Sequence, residues 1–403
     1  MKENYFLING TIYIVKYVDF KPDVYKLVDN QRVKLNQEEK EHIEKVLKKN
    51  SSYIYTSMKL NEVLENNESI TNNELAPNLL EWLEGIIPVD SRDNFYRNVE
   101  TLKIKEVEEL NSTDILGEYN AKENTISMLS RDKYVSDEEY AKTLLHELIH
   151  MSSSKYEKET MKTISGLDES VLDFNKRNRG LTEGITEVIA FNGVRGIDKK
   201  ASIYCMEGLL ADQLSRLINP NIIMDAYFNN KGTDDLTREL RRIGYDSDKA
   251  YGLFRDIELN FLFSRESEKE NVLGNIQSSL LDYFEKKLKV GIMNDTIPLE
   301  QVPALFDDYG KALITPAKLK AMGYDPEKFE GVAESVKKYL DLKTMYNIAL
   351  SMDEEQQVNE IEETKEQNKF GLKTAGYSSV VLLSIVTAII ALGIIVLGVY
   401  LGM

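Results

Sequence analysis

The sequence predicts an α+β fold that is mostly helical, with a small β-rich unit at the N-terminus and a transmembrane helix at the C-terminus. Three observations carry that prediction. Up to Leu35 the chain is built of short β-rich runs separated by turn residues. From Asp137 onward, apolar residues recur at helical spacing through one long stretch after another. The uncharged apolar run from Val380 to Leu401 is about twenty residues, long enough to span a bilayer as a helix. A chain of 403 residues has room for more than one structural unit with its own core. We read a β-rich unit over 1–60, a main unit over 61–352, an acidic linker over 353–378 and the apolar span over 379–401.

Composition narrows the function. A formal net charge of −17 argues against a nucleic-acid partner, which needs a basic face. The single cysteine, Cys205, excludes an intrachain disulfide and fits a reducing compartment. It reads as a small buried residue and not as a nucleophile, because no spare histidine stands ready to activate it.

In the N-terminal unit, Asn9-Gly10 interrupts two β-rich runs between Tyr5 and Val15, which predicts a hairpin with a type I′ turn and not the apolar core of a signal peptide. Val24 to Val28 and Arg32 to Leu35 add short strands. A helix follows from about Gln37 to Lys49, with Asn36 and Glu39 placed to cap it. His42 lies there among Glu41, Glu44 and Lys45 and reads as a surface residue. From Glu62 to Thr113 the signals are helical but polar, with breaks at Pro77 and Pro88, and Trp82 anchors a helix to the core. Leu116 to Leu129 then reads as a hairpin whose second strand, Thr125 to Leu129, precedes the next helix.

That helix, from about Asp137 to Ser152, organises the chain. Ser136 is placed as its N-cap, with Glu139 as capping-box partner. It holds His146-Glu147-Leu148-Ile149-His150, and so two of the three histidines in the sequence. Histidines four apart lie one turn above the other on one helix face, so both imidazoles can converge on a single metal ion. Glu147 points to the same side, where a carboxylate can reach a metal-bound water without being a ligand. Leu144, Leu145, Leu148, Ile149 and Met151 make the helix semi-buried, where unpaired imidazoles are costly.

A catalytic zinc site needs a third protein ligand and an open fourth position. Gly180 to Ala190 is a second helical segment, with Glu183 and Glu187 one turn apart. Taken alone, these two are an ordinary i, i+4 pair on a solvated face. With the upstream motif, the stretch from Leu116 to Phe228 resembles the gluzincin-type zinc metallopeptidases. The resemblance implies a zincin-like catalytic domain in which His146, His150 and Glu183 hold Zn2+ and Glu187 steadies a ligating histidine. The asparagine that often precedes the glutamate ligand in such enzymes is Thr182 here. The implied activity is hydrolysis of peptide bonds, with Glu147 as general base for a zinc-activated water. Such enzymes place an edge strand beside the active-site helix, and Thr125 to Leu129 is the expected rail for an extended substrate; an ordinary scaffold hairpin is the alternative. A non-catalytic membrane-tethered scaffold with a structural or vestigial zinc site is the other reading of the whole chain.

No histidine follows His150, so the donor that stabilises the tetrahedral oxyanion has to be a tyrosine, arginine, lysine or backbone N–H. Tyr204 is the first choice because it starts the helix after the ligand helix, with Tyr227 and Tyr251 in reserve. Further helices are expected over Ala201 to Ile218, Asn221 to Phe228, Asp234 to Ile243, Ser247 to Ser264, Glu268 to Lys289 and Glu327 to Met352.

The stretch from Asp353 to Gln367 is acidic and poor in apolar residues, and reads as a solvated helix or a flexible linker. Lys365, Lys369 and Lys373 precede the apolar run and no basic residue follows it, so the positive-inside rule keeps the large N-terminal part in the cytoplasm. The expected protein is single-pass and tail-anchored in the cell membrane, acting on a protein or peptide substrate close to that membrane.

Overall fold

The computed structural model describes residues 3–8, 11–18, 21–28, 31–37, 39–40, 59–112, 115–159, 162–171, 175–194, 204–243, 247–262 and 270–369. These residues are mostly helical with small sheets, which is the α+β class expected.

The N-terminal strands β1 (Glu3–Ile8), β2 (Thr11–Val18), β3 (Lys21–Val28) and β4 (Gln31–Lys34) form an antiparallel meander in chain order. Ile8 pairs with Thr11, so β1 and β2 form the hairpin the sequence anticipates, while the Asn9-Gly10 turn lies outside the described residues. The cap that follows is reciprocal. Glu39 N–H donates to Asn36 Oδ1 at 2.8 Å, and Asn36 N–H donates to the Glu39 carboxylate at 3.4 Å. Most of the helix expected after it, with His42, lies outside the described residues.

In the main unit, α1 (Ala76–Ile86) carries Pro77 in its first turn. Pro77 therefore starts this helix, since the nitrogen it lacks as a donor has no intrahelical partner there. Trp82 on α1 is partly buried and packs against the core. α2 (Arg92–Thr101) leads into a strand that the sequence does not announce, β5 (Lys103–Val107). The hairpin of β6 (Gly117–Asn120) and β7 (Thr125–Leu129) is where it was expected, and β5 pairs parallel to β7 on its other side. The order β5-β7-β6 makes β7 central and leaves β6 at the edge.

The next helix, α3 (Asp137–Ser153), carries the histidine motif. Glu139 N–H donates to Ser136 Oγ at 3.2 Å, while the Glu139 carboxylate accepts from Val135 N–H at 2.7 Å. Leu144, Leu145, Leu148, Ile149 and Met151 are all 0% exposed. At about 1.5–3 kcal/mol for each large apolar side chain buried, this helix is held by tertiary packing far more than by its caps. Strand β6 lies against it at Gly117, where a Cβ would stand 2.9 Å from Thr143 Cγ2 and 3.2 Å from Glu147 Cγ. Only a residue without a side chain lets the edge strand come this close to the motif.

Two short hairpins fill the interval after α3, β8 (Lys155–Glu157) with β9 (Lys162–Ile164), and β10 (Glu169–Val171) with β11 (Asn175–Arg177). They deliver the chain to α4 (Arg179–Gly193), the second helix of the candidate site. Then come α5 (Cys205–Leu217), α6 (Pro220–Phe228), α7 (Asp234–Arg242), α8 (Ser247–Leu262) and α9 (Glu270–Met293). All five match expected helices. α10 (Val302–Ala312) and α11 (Pro316–Ala321) were not anticipated; each has a proline in its first turn. The last element, α12 (Glu330–Lys369), runs on through the acidic stretch as helix. The apolar run over 379–401 lies outside the described residues, and among the described residues no helix is long and apolar enough to cross a membrane.

Candidate metal centre

α3 and α4 bring His146, His150 and Glu183 to one point. His146 Nε2 lies 3.1 Å from His150 Nε2 and 3.2 Å from Glu183 Oε2, and His150 Nε2 lies 3.1 Å from the same oxygen. The Nδ1 of His146 faces Glu187 Oε2 at 3.1 Å. With the ring proton on Nδ1 donated to Glu187, the Nε2 lone pair of His146 points at a second ring nitrogen and a carboxylate oxygen. Three electron pairs so arranged repel one another unless a cation lies between them. Metal bonds of about 2.0–2.1 Å at tetrahedral angles put neighbouring donors about 3.3 Å apart, so the triangle is close to one face of a zinc tetrahedron. The donor set fits a divalent metal, and two imidazoles with one carboxylate leave a fourth position open.

The surrounding groups support a positive charge here. His146, Glu147, Glu183 and Glu187 are all buried. Burial acts to lower the pKa of His146, but hydrogen bonds to Glu183 and Glu187 outweigh it and raise it to about 10. A proton or a metal ion can supply that charge. Burial acts to raise Glu183 and Glu187 as well. The two histidines outweigh it at Glu183, and His146 with Lys142 outweighs it at Glu187, so both carboxylates end below their ordinary range. At Glu147 burial prevails over both histidines and the pKa rises. The backbone of Tyr119 on β6 acts against that rise.

His146, Glu147, His150 and Glu183 line a cavity of about 410 Å3 that also includes Tyr204, Arg179 and the β6 edge from Gly117 to Asn120. Tyr204 immediately precedes α5 and its ring stacks on His146, with centroids 5.5 Å apart and planes 15° apart. The reserve tyrosines do not reach the site. Tyr227 is 0% exposed with its hydroxyl 2.5 Å from Thr186 Oγ1, and Tyr251 donates to Asp234 on the surface at 3.1 Å. The expected substrate rail is corrected too. β7 is paired on both edges, by β5 and by β6, so its backbone is committed and the free edge at the site is β6.

Sequence reasoning missed several supporting groups. Lys142 donates to Glu187 Oε1 at 2.6 Å and is largely buried. Its position one turn before His146 was the available signal. Arg179 lies one turn before Glu183, with Nε 3.8 Å from Glu183 Oε1 and its guanidinium 5.3 Å from the Phe261 ring centroid. Thr182 accepts from Leu167 N–H at 3.1 Å and so holds the loop before β10. Glu258 on α8 accepts from Gly180 N–H at 2.8 Å and anchors the first turn of α4. No local sequence pattern points to Glu258, because the contact joins residues far apart in the chain.

Comparison of the chain with family models, with curated proteins and with solved structures finds no match.

Proposed function

We propose that this protein is a zinc-dependent metallopeptidase of the gluzincin type. The observation that carries the proposal is the convergence of His146 Nε2 and His150 Nε2 on α3 with Glu183 Oε2 on α4 to within 3.2 Å of one another, where Glu147 of α3 lines the same open cavity. When bound, zinc acts as a Lewis acid that makes water a nucleophile at neutral pH and polarises the carbonyl under attack. His146, His150 and Glu183 would hold it, and Glu187 would fix the tautomer of His146 through Nδ1.

The remaining work falls to the chain. An extended peptide pairs with the free edge of β6, which runs beside Glu147 because Gly117 has no side chain to hold it off. Glu147 takes a proton from the attacking water and delivers it to the departing amide nitrogen, ending as the carboxylate it began as. Tyr204, stacked on His146 at the cavity wall, and Arg179, beside Glu183, are the donors placed to steady the developing oxyanion. The accessible cavity favours this reading over a scaffold with a structural metal, since structural zinc sites are closed by four protein ligands. The run over 379–401, preceded by lysines, tethers the enzyme to the cytoplasmic face of the cell membrane in this proposal, close to membrane-associated protein substrates.

The test is zinc content together with cleavage of a denatured protein mixture, for the wild type and Glu147→Gln. Stoichiometric zinc in both, with turnover lost in the variant, is the expected result. Wild-type cleavage by Glu147→Gln would overturn the mechanism, and zinc without cleavage in either protein would favour the scaffold.

A further inference from the structure

The edge strand β6 carries a charge that the metal centre does not use. Directly opposite residues of neighbouring strands share one face of a sheet. Ile104 of β5 pairs with Ile126 of β7, and Ile126 with Tyr119 of β6, so that row is largely apolar. The adjacent row, on the other face, is polar: Lys105 pairs with Ser127, and Ser127 with Glu118. Glu118 ends its row at the free edge, and a strand added there sets one of its own residues directly opposite.

Glu118 is half-buried in the wall of the metal-centre cavity, and Asn111 Nδ2 donates to both of its oxygens, at 2.8 and 3.2 Å. An amide is neutral, so it orients the carboxylate and leaves its charge in place. A carboxylate has about four acceptor sites, which Asn111 does not fill. Among the described residues no lysine or arginine pairs with Glu118. Lys105 shares its face but lies two strand spacings away, each about 4.8 Å, with Ser127 between them. Asn120, the next residue of β6 on that face, also lines the cavity and is neutral. An incoming strand therefore meets a negative charge and an amide on this face of β6, and no apolar side chain.

We propose that Glu118 selects the substrate, by favouring lysine or arginine at the position of the bound peptide that lies opposite it. This rests on the metallopeptidase reading of the metal centre, with the peptide paired along β6. Opposite charges that face one another across two strands attract, and like charges there repel. Gly117, next to Glu118, lies against Glu147, so the selected residue is close to the bond that is cut. At an edge in contact with water the effect is about two- to fivefold.

The full chain, loaded with zinc, is incubated with a library of random synthetic peptides, and the cut sites are read by mass spectrometry. Lysine and arginine are expected to be enriched about two- to fivefold at one position near the cut bond, with aspartate and glutamate depleted there. A peptide cut at such a site is then compared with versions carrying glutamine or glutamate at that position. Glu118→Gln keeps the acceptor for Asn111 and removes the charge, so its ratio of kcat/KM between the lysine and glutamine peptides should fall to about one. Glu118→Lys should favour the glutamate peptide. A ratio taken within one variant is unaffected by any loss of folded protein. Cleavage by the wild type without preference for a cation at any position, or a preference that persists in Glu118→Gln, would overturn the role of Glu118 and leave the metallopeptidase reading standing. Absence of any cleavage that depends on Glu147 would remove that reading, and this selection with it.

Discussion

Replacing Glu187 with glutamine separates the support of the metal centre from the stability of the fold. The carboxylate is 0% exposed and serves two donors at once, His146 Nδ1 at 3.1 Å and Lys142 Nζ at 2.6 Å. An amide of the same shape has one oxygen to accept with and turns an N–H toward the other donor. Lys142 is then left largely buried without its counter-charge, which costs about 3–5 kcal/mol. His146 loses the group that holds its tautomer, and such a loss typically weakens metal binding by about 10- to 100-fold. The double variant Lys142→Met/Glu187→Gln removes the stranded cation. It is expected to recover most of the stability and little of the metal affinity. Urea denaturation with chelator present measures the first quantity, and competition with a zinc indicator measures the second. If the double variant stays as unstable as Glu187→Gln, the buried ion pair is not the source of the loss; if both variants bind zinc as the wild type does, Glu187 does not support His146.

Other outcomes follow from the same geometry. Tyr204→Phe is expected to keep its zinc and lose about 100- to 1,000-fold in kcat with little change in KM, by removing one oxyanion donor; full turnover would pass the role to Arg179. Gly117→Val introduces a branched side chain where a single Cβ already stands 2.9 Å from Thr143 Cγ2, and should cost about 1–3 kcal/mol and displace β6 from Glu147. Cleavage should fall while zinc content holds, and unchanged kcat/KM would count against β6 as the rail. Glu84 is buried, and burial raises its pKa despite the hydrogen bond from Tyr96 at 2.5 Å. A carboxyl whose folded pKa lies above its unfolded value contributes stability below the unfolded pKa, near 4.5, and loses it as pH rises through the folded pKa. Glu84→Gln keeps the acceptor and removes the charge, so it should be more stable than the wild type at pH 7 and show no gain below pH about 4.5. Parallel stability curves for the two proteins across that range would refute this.

The local pattern of the chain already contained the helical character of most of the molecule, the β1–β2 hairpin, and both caps built on Asn36 and Ser136, because periodicity, turn chemistry and capping are decided within a few residues. The same locality made His146, Glu147 and His150 legible: four residues on one helix put two imidazoles on one face whatever surrounds them. Glu183 needed a resemblance as well, since nothing local says that α4 packs against α3. Tertiary structure decided the rest. It placed β5 beside β7, so that β6 and not β7 became the edge, through a parallel pairing that no hairpin signal encodes. It set Tyr204 against His146, buried Tyr227 and left Tyr251 at the surface. It brought Lys142 to Glu187 and Glu258 to the first turn of α4, contacts between distant segments whose energies depend on burial. Sequence spacing determined which side chains share a face, and packing determined which faces meet, because burial and charge pairing arise only when separate elements close on one another.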